Sequence, residues 1–241
     1  MFDHVGIRTG DWAASERFYD TVLATLGIRK DHSDDQLAEW DDFAVSPATD
    51  DRPVTRGLHI GFRAPSRDEV DEFWRTGTEA GFRDDGPPGL RPEYMEDYYG
   101  SFLLDPDGNS AEAVHHGEMR GSGAIDHVWL RVSDLAAARG FYEAVAPYGG
   151  FHLAYERPDR VGFAGENGAF SVVAGDPSHH VHMAFGAAEN ATVEAFHQAL
   201  TGAGYRDNGP PGERAIYHAG YYGAFVLDPD GNNIEVVCHN R

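Results

Sequence analysis

Cysteine is almost missing from this chain: Cys238 stands alone among 241 residues. One thiol cannot close a disulfide within the chain, so the fold does not need an oxidising compartment, and a reducing cytoplasm is the expected location. Long apolar runs are missing as well. No stretch approaches the ~20 apolar residues that cross a bilayer. The opening Met1-Phe2-Asp3-His4-Val5 carries neither the basic nor the apolar segment of a secretory signal. No membrane partner is expected. Basic residues are few, 19 Lys and Arg against 40 Asp and Glu, which leaves a formal charge of −21. A surface this acidic repels phosphate backbones and anionic headgroups. Nucleic acid is therefore excluded as a partner, and a small molecule is the expected one. The chain itself is expected to be a monomer or a homodimer.

What is present supports a packed protein. Hydrophobic residues make up 41% of the chain and aromatics 12%, enough for a core and too much for a disordered tail. The length suits one large or two ordinary domains.

The second of these follows from internal repetition. Residues 81–116 align without gaps to 204–239, with 22 of 36 positions identical. The segment GPPG at 86–89 returns at 209–212, YYG at 98–100 at 221–223, and LDPDGN at 104–109 at 227–232. The same offset of 123 carries Asp3-His4-Val5 onto Asp126-His127-Val128 and Phe18-Tyr19 onto Phe141-Tyr142. Residues 28–56 and 151–179 match only with small gaps, so those loops differ. Two tandem domains are expected, 1–117 and 124–241, joined by a short Gly-rich linker.

Local pattern predicts strand, helix and short strands, then the same again, in each copy. Residues 2–8 read as a strand. Asp11 caps a helix whose stripe Phe18, Val22 and Leu26 faces a core, and Gly27 ends it. Residues 58–63 form the next strand, and Ser66-x-x-Glu69 is the reciprocal cap of a helix ending near Gly81. Asp105-Pro106-Asp107-Gly108 turns a closing hairpin. The second copy repeats the order with strand 125–132, helix 134–148, strand 180–185 and helix 190–203. The fold class is α+β, built from four βαβββ modules. A module of ~55 residues is marginal by itself, so modules must pair.

These motifs resemble the vicinal oxygen chelate superfamily, which includes glyoxalase I, extradiol dioxygenases and bleomycin-resistance proteins. The resemblance rests on the strand bearing His4, on Asp11 to Ser15 followed by Phe18-Tyr19, and on DPDGN-x-x-E at 105–112 and 228–235. It covers nearly the whole chain. It implies two cupped mixed β-sheets with helices outside, each cup enclosing a site. It also implies metal ligands on the first strand of each module and the last strand of the second. Those positions are His4, His59 and Glu112 in the first copy and His127, His182 and Glu235 in the second. Two imidazoles and one carboxylate suit a divalent ion such as Fe, Mn, Zn, Ni or Co. The chain departs from the family at three places. Ala138 replaces the motif's Ser, Ala44 and Ser171 stand where glyoxalase I has a fourth ligand, and Phe102 and Phe225 stand where the dioxygenases have Tyr.

A single strand histidine is more often structural than a ligand; two complete sets at matching positions are what mark these six. His116 and His239, four residues beyond each Glu on the same strand face, are expected at the rim in preference to the alternative, a place as hydrogen-bond partners behind the ligands. The GPPG segments are expected to form surface loops. Their Arg91, Tyr94, Arg214 and Tyr217 are candidates to bind substrate, and Trp129, two residues past His127, is a candidate cleft wall.

The implied function is that of a metal-dependent lyase, isomerase or dioxygenase acting on a small molecule with vicinal oxygens. The alternative is metal-free sequestration of a small molecule or antibiotic, as in bleomycin resistance. Short connections usually join neighbours, so modules are expected to pair within a copy, giving His4/His59/Glu112 and His127/His182/Glu235. Pairing outer with outer and inner with inner modules would instead give His4/His182/Glu235 and His59/His127/Glu112.

Overall fold

The computed structural model describes residues 1–117 and 122–240; residues 118–121 of the expected linker and residue 241 lie outside them. Four βαβββ runs follow one another. The first is β1 (Phe2–Thr9), α1 (Trp12–Thr25), β2 (His32–Ser33), β3 (Ala38–Trp40) and β4 (Phe43–Pro47). The second is β5 (Leu58–Arg63), α2 (Arg67–Glu79), β6 (Arg83–Leu90), β7 (Tyr99–Leu104) and β8 (Ser110–His115). The third is β9 (Ile125–Val132), α3 (Leu135–Gly149), β10 (Phe151–Arg157), β11 (Arg160–Gly165) and β12 (Gly168–Ala174). The fourth is β13 (His182–Gly186), α4 (Asn190–Gly202), β14 (Arg206–Glu213), β15 (Tyr222–Leu227) and β16 (Asn233–Cys238).

The strands form two mixed eight-stranded sheets with the four helices outside. One runs β14-β15-β16-β13-β1-β4-β3-β2 and the other β10-β11-β12-β9-β5-β8-β7-β6. This is the α+β class expected. The pairing of modules is not. The first and fourth modules share a sheet, and so do the second and third, whereas short connections favoured partners within a copy. Among the described residues no helix is long and apolar enough to cross a membrane.

Contacts divide the chain into two compact units, Met1–Val5 with Leu130–Arg241, and Gly6–Trp129. In Gly6–Trp129, α1 packs on β4, and α2 on β6, β7 and β8. Asp11 accepts from Ala14 N at 3.0 Å to start α1, and Ser66 accepts from Asp68 N at 3.1 Å to start α2. Each such cap is worth about 1 kcal/mol. Phe18, Val22 and Leu26 are buried as the helical spacing requires. Tyr19, Phe43 and Phe62 pack behind them, Phe43 tilted against Tyr19 at 4.7 Å and edge to face with Phe62 at 5.2 Å.

In the other unit α3 packs on β10 and β12, and α4 on β14, β15 and β16. Phe163, Phe170 and Phe151 form the aromatic core there, with centroids 4.9 and 5.1 Å apart. Asp134 caps α3 through Ala136 N and Ala137 N.

The GPPG segments are strands, not free loops. β6 and β14 hydrogen-bond to β7 and β15 with register shifts around each pair of prolines. Proline cannot donate to a ladder, and both strands lie at the ends of their sheets, where one side needs no partner.

The DPDGN turns fix the strand that follows each of them. Asp105 accepts from Asp107 N and Asn109 N at 2.9 and 2.8 Å, and its other oxygen accepts from the buried Tyr19 hydroxyl at 2.9 Å. Asp228 does the same with Asp230 N, Asn232 N and Tyr142. The Tyr of each Phe-Tyr pair therefore ties a helix to the turn that launches β8 or β16.

Candidate metal centres

Strand alternation sends His4 away from the core. Val5, Ile7 and Thr9 of β1 are buried, so His4, Gly6 and Arg8 share the opposite face. The same period carries His127 and Trp129 on β9. On β5 and β13 the histidine is the half-buried residue at the strand start, or next to it. Parallel pairing of β5 with β8 and of β13 with β16 then lays the Glu-bearing strand alongside.

Two sets of side chains converge as a result: His59, Glu112 and His127, and His4, His182 and Glu235. In the first, His59 Nε2 lies 3.0 Å from Glu112 Oε2 and 3.2 Å from His127 Nε2, and His127 Nε2 lies 3.3 Å from Glu112 Oε2. In the second, His4 Nε2 and His182 Nε2 are 3.0 Å apart, and Glu235 Oε2 lies 3.2 Å from His182 and 3.9 Å from His4. The within-copy sets His4/His59/Glu112 and His127/His182/Glu235 are not formed.

This donor chemistry fits a divalent ion. Nitrogen and oxygen ligands at about 2.1 Å from one ion stand about 3.0–3.4 Å from each other, which the His59 set meets on all three edges. The rings are oriented for ligation as well. His127 Nδ1 donates to Asp126 at 2.9 Å and His4 Nδ1 donates to Asp3 at 2.9 Å, so Nε2 is the nitrogen that each ring turns into its cluster and would give to an ion once deprotonated. The Asn233 amide sits 2.8 Å from His182 Nδ1.

A second layer holds the carboxylates. Tyr98 OH donates to Glu112 Oε1 at 2.8 Å, and Tyr221 OH to Glu235 Oε1 at 2.8 Å. His116 reaches Asp126 at 3.3 Å, and His239 reaches Asp3 at 2.7 Å. These two histidines are thus partners of the ligand-orienting carboxylates rather than rim residues. His218 extends the second set, with Nε2 2.8 Å from His239 Nδ1.

Glycine makes room for both layers. A Cβ on Gly61 would stand 2.3 Å from the His127 ring, and one on Gly100 would stand 2.4 Å from Glu112 Oε1.

Proton affinities follow from this crowding. Burial opposes charge on His127, but the carboxylates of Asp126 and Glu112 outweigh it and raise the imidazole to about 10. Burial opposes charge on Glu112 too, and His127 and His59 outweigh it, lowering the carboxyl to about 2. Asp126 and Asp3 are also held below the ordinary range, against burial, by the histidines beside them. Burial and the neighbouring Glu carboxylates push the Tyr98 and Tyr221 phenols well above their usual value.

Of the other candidates, Trp129 lies beside the His59 set, its ring centroid 5.5 Å from that of His59 and 5.4 Å from that of Tyr94. Tyr217 is 58% exposed, with its ring 4.9 Å from that of Tyr221. The two arginines engage their own strands. Arg91 donates to Pro87 O at 2.8 Å and lies over Phe102, and Arg214 donates to Pro210 O at 2.6 Å and lies over Phe225. The sequence pattern gives Asp3 and Asp126 no role at these centres, and reads Tyr98-Tyr99 and Tyr221-Tyr222 as strand packing with one ring of each pair reaching the cup. The available signal was their recurrence at the offset of the six His and Glu positions.

The model of the Glyoxalase/Bleomycin resistance protein/Dioxygenase superfamily matches residues 1–113 and again 124–236. The chain belongs to this superfamily. No curated protein matches it significantly. Among solved structures, glyoxalase I from Zea mays is similar at 19% identity and a TM-score of 0.67, over 99% of this chain and 92% of that one. A single-substitution variant of the maize enzyme reaches 0.70 at 19% identity, over 99% and 92%. A putative dioxygenase from Bacillus subtilis reaches 0.64 at 14% identity, over 100% and 85%. At such identities the likeness is one of fold, and the superfamily spans several chemistries.

Proposed function

We propose that the chain is a metal-dependent enzyme of the glyoxalase/dioxygenase type, a lyase, isomerase or dioxygenase acting on a small molecule through two vicinal oxygens. The observation that carries this reading is the convergence of two Nε2 atoms and one carboxylate oxygen, each edge within 3.3 Å, in the His59/Glu112/His127 set. His4, His182 and Glu235 would hold a second ion. The donor set suits Fe(II) or Mn(II), and accepts Zn, Ni or Co. A bound ion supplies Lewis acidity to the two substrate oxygens.

The chain's own residues do the rest. Asp126 and Asp3 fix ring orientation and tautomer. Tyr98 and Tyr221, protonated throughout the ordinary pH range, hold the carboxylates and do not accept protons. The Trp129 and Phe102 rings lie beside His59, 5.5 and 5.9 Å away, and form an apolar wall on that side of the set.

Metal-free sequestration is the second reading, and the Trp129 and Tyr94 rings favour it. Glu112 counts against it. A carboxylate 1% exposed between two imidazoles has no use in a cleft built for an apolar ligand, and burying it is costly unless it is paired.

The test is elemental analysis of the protein as purified and after reconstitution. A thermal-shift screen of diols, catechols and α-keto or hydroxy acids follows, with and without chelator. Up to two ions per chain and metal-dependent ligand shifts are expected. Protein that takes up no ion, yet is stabilised by a ligand regardless of chelator, would establish sequestration instead.

A further inference from the structure

We infer that the His59/Glu112/His127 centre takes a planar, conjugated chelating ligand, and that Trp129 is the residue that selects it. This rests on the metal-dependent reading above.

The two centres are alike in their converging groups and in three of the rings beside them, and the aromatic difference between them is Trp129. Around His59 and His127 the neighbours are aromatic. The Trp129 centroid lies 5.5 Å from that of His59 and 6.1 Å from that of His127. Tyr94 meets Trp129 edge to face at 5.4 Å and Tyr98 at 5.2 Å, and Phe102 lies 5.9 Å from His59. Trp129 is half-buried and Tyr94 is 41% exposed, so apolar ring surface remains open to solvent beside the converging donors.

The partner set keeps rings where Tyr94, Tyr98 and Phe102 stand, as Tyr217, Tyr221 and Phe225, with Phe225 6.3 Å from His182 and Tyr217 4.9 Å from Tyr221, and it differs at three other places. Gly6 stands where Trp129 does, His218 where Met95 does, and Asn233 where Ser110 does. Asn233 contacts the His182 ring and His218 contacts His239. Glycine offers no surface on which a ring can lie.

Two oxygens on one edge of a conjugated ring can reach the donor set while the ring covers the indole. Aromatic faces favour such offset or edgewise contact over contact with water. A compact, non-aromatic chelator has the same two oxygens and gains nothing from Trp129. The first kind of ligand therefore belongs to the His59 centre, and the His4 centre does not share that preference.

The full-length chain tests this with two probes, tropolone as planar dioxygen chelator and acetohydroxamate as compact one. Glu235→Gln and Glu112→Gln, each loaded with Mn(II), isolate the His59 centre and the His4 centre respectively. Calorimetric titration should show tropolone binding at least tenfold more tightly to Glu235→Gln than to Glu112→Gln. Acetohydroxamate should differ by less than threefold. Adding Trp129→Gly to Glu235→Gln should cost tropolone tenfold or more and acetohydroxamate less than twofold, whereas Trp129→Phe should keep most of the preference.

Equal tropolone affinity at the two centres overturns the inference, and that comparison stands even if Trp129→Gly fails to fold. Equal losses of both probes in Trp129→Gly overturn it too, because the indole is then packing only. If Glu235→Gln takes up no Mn(II), the metal-dependent reading falls and this inference with it. Uptake of Mn(II) without a tropolone preference removes this inference alone.

Discussion

His4 Nε2 lies 3.0 Å from His182 Nε2, although 178 positions separate the two residues. β1 and β13 are neighbours in one sheet, which brings the first strand of the first copy beside the second module of the second copy. His59 and His127, 3.2 Å apart, are joined in the same way through β5 and β9. Each candidate centre thus draws on both sequence repeats.

Double substitutions read this pairing directly. His4→Ala with Glu235→Gln removes one centre, so the protein should still take up one ion per chain. His4→Ala with His59→Ala breaks both and should leave none. Elemental analysis after reconstitution distinguishes the two outcomes, and one ion retained by the His4/His59 variant would mean the centres are composed differently.

Loading the His59 centre should release protons. His127 is raised from 6.5 to about 10 by the Asp126 and Glu112 carboxylates, so at pH 7.5 it carries both ring protons. Ligation through Nε2 requires that one be lost. About one proton per ion is expected from this residue at pH 7.5, falling as pH rises through 10. For the protein without added metal the same raised value sets the pH dependence of stability. The His127 contribution to stability is complete below pH 6.5 and is lost as pH rises towards 10. Calorimetry in buffers of different ionisation enthalpy, in the Glu235→Gln background, counts the protons. No release would show that His127 is already neutral.

Tyr98→Phe deletes the donor to Glu112 Oε1 and leaves a buried carboxylate oxygen without it. The expected cost is about 1–3 kcal/mol of stability. Metal affinity at that centre should weaken about 10–100-fold, as for other outer partners of ligands. Tyr221→Phe should act likewise at Glu235 alone. Metal titrations of the two variants check it, and unchanged affinity in both would rule out this supporting role.

Gly61→Ala places a methyl 2.3 Å from the His127 ring. The backbone at Gly61 is not in the left-handed region, so an alanine there is unstrained and the effect isolates displacement of the imidazole. Metal uptake by the His59 centre should disappear, with uptake by the His4 centre intact. Two ions bound with normal affinity would show that the ring can move without loss.

Asp42, which is not one of the six converging residues, gives a pH signature of its own. Burial raises its carboxyl to about 6, although Oδ1 accepts from Ala124 N and Ile125 N at 2.8 and 3.0 Å. A folded-state value above the unfolded 3.8 means that folding takes up a proton in this range. Its stabilising contribution is therefore present below about pH 4 and lost as pH rises to about 6. Asp42→Asn keeps an oxygen for both N–H groups and removes the titration. The stability gained by the variant should grow between pH 4 and 6 and level off above, as read by denaturant unfolding. Parallel profiles for the two proteins would exclude the effect.

The sequence by itself determined the repeat, the order of elements and the six His and Glu positions that converge. Each is written locally. Asp11 and Ser66 cap helices within three residues of themselves, Asp105 and Asp228 organise five-residue turns, and strand alternation sends His4 and His127 to one face. The prolines of β6 and β14 obscured real strands, because their local signal is that of a loop and only the neighbouring β7 and β15 supply the ladder. Tertiary structure alone decided which histidine meets which. Both pairings satisfy the same strand patterns and place the same residue types together, and nothing near His4 encodes whether β5 or β13 lies beside β1. That choice is made by which module covers the open edge of β1. It also decides that Asp3 meets His239, a contact across 236 positions that no local spacing records.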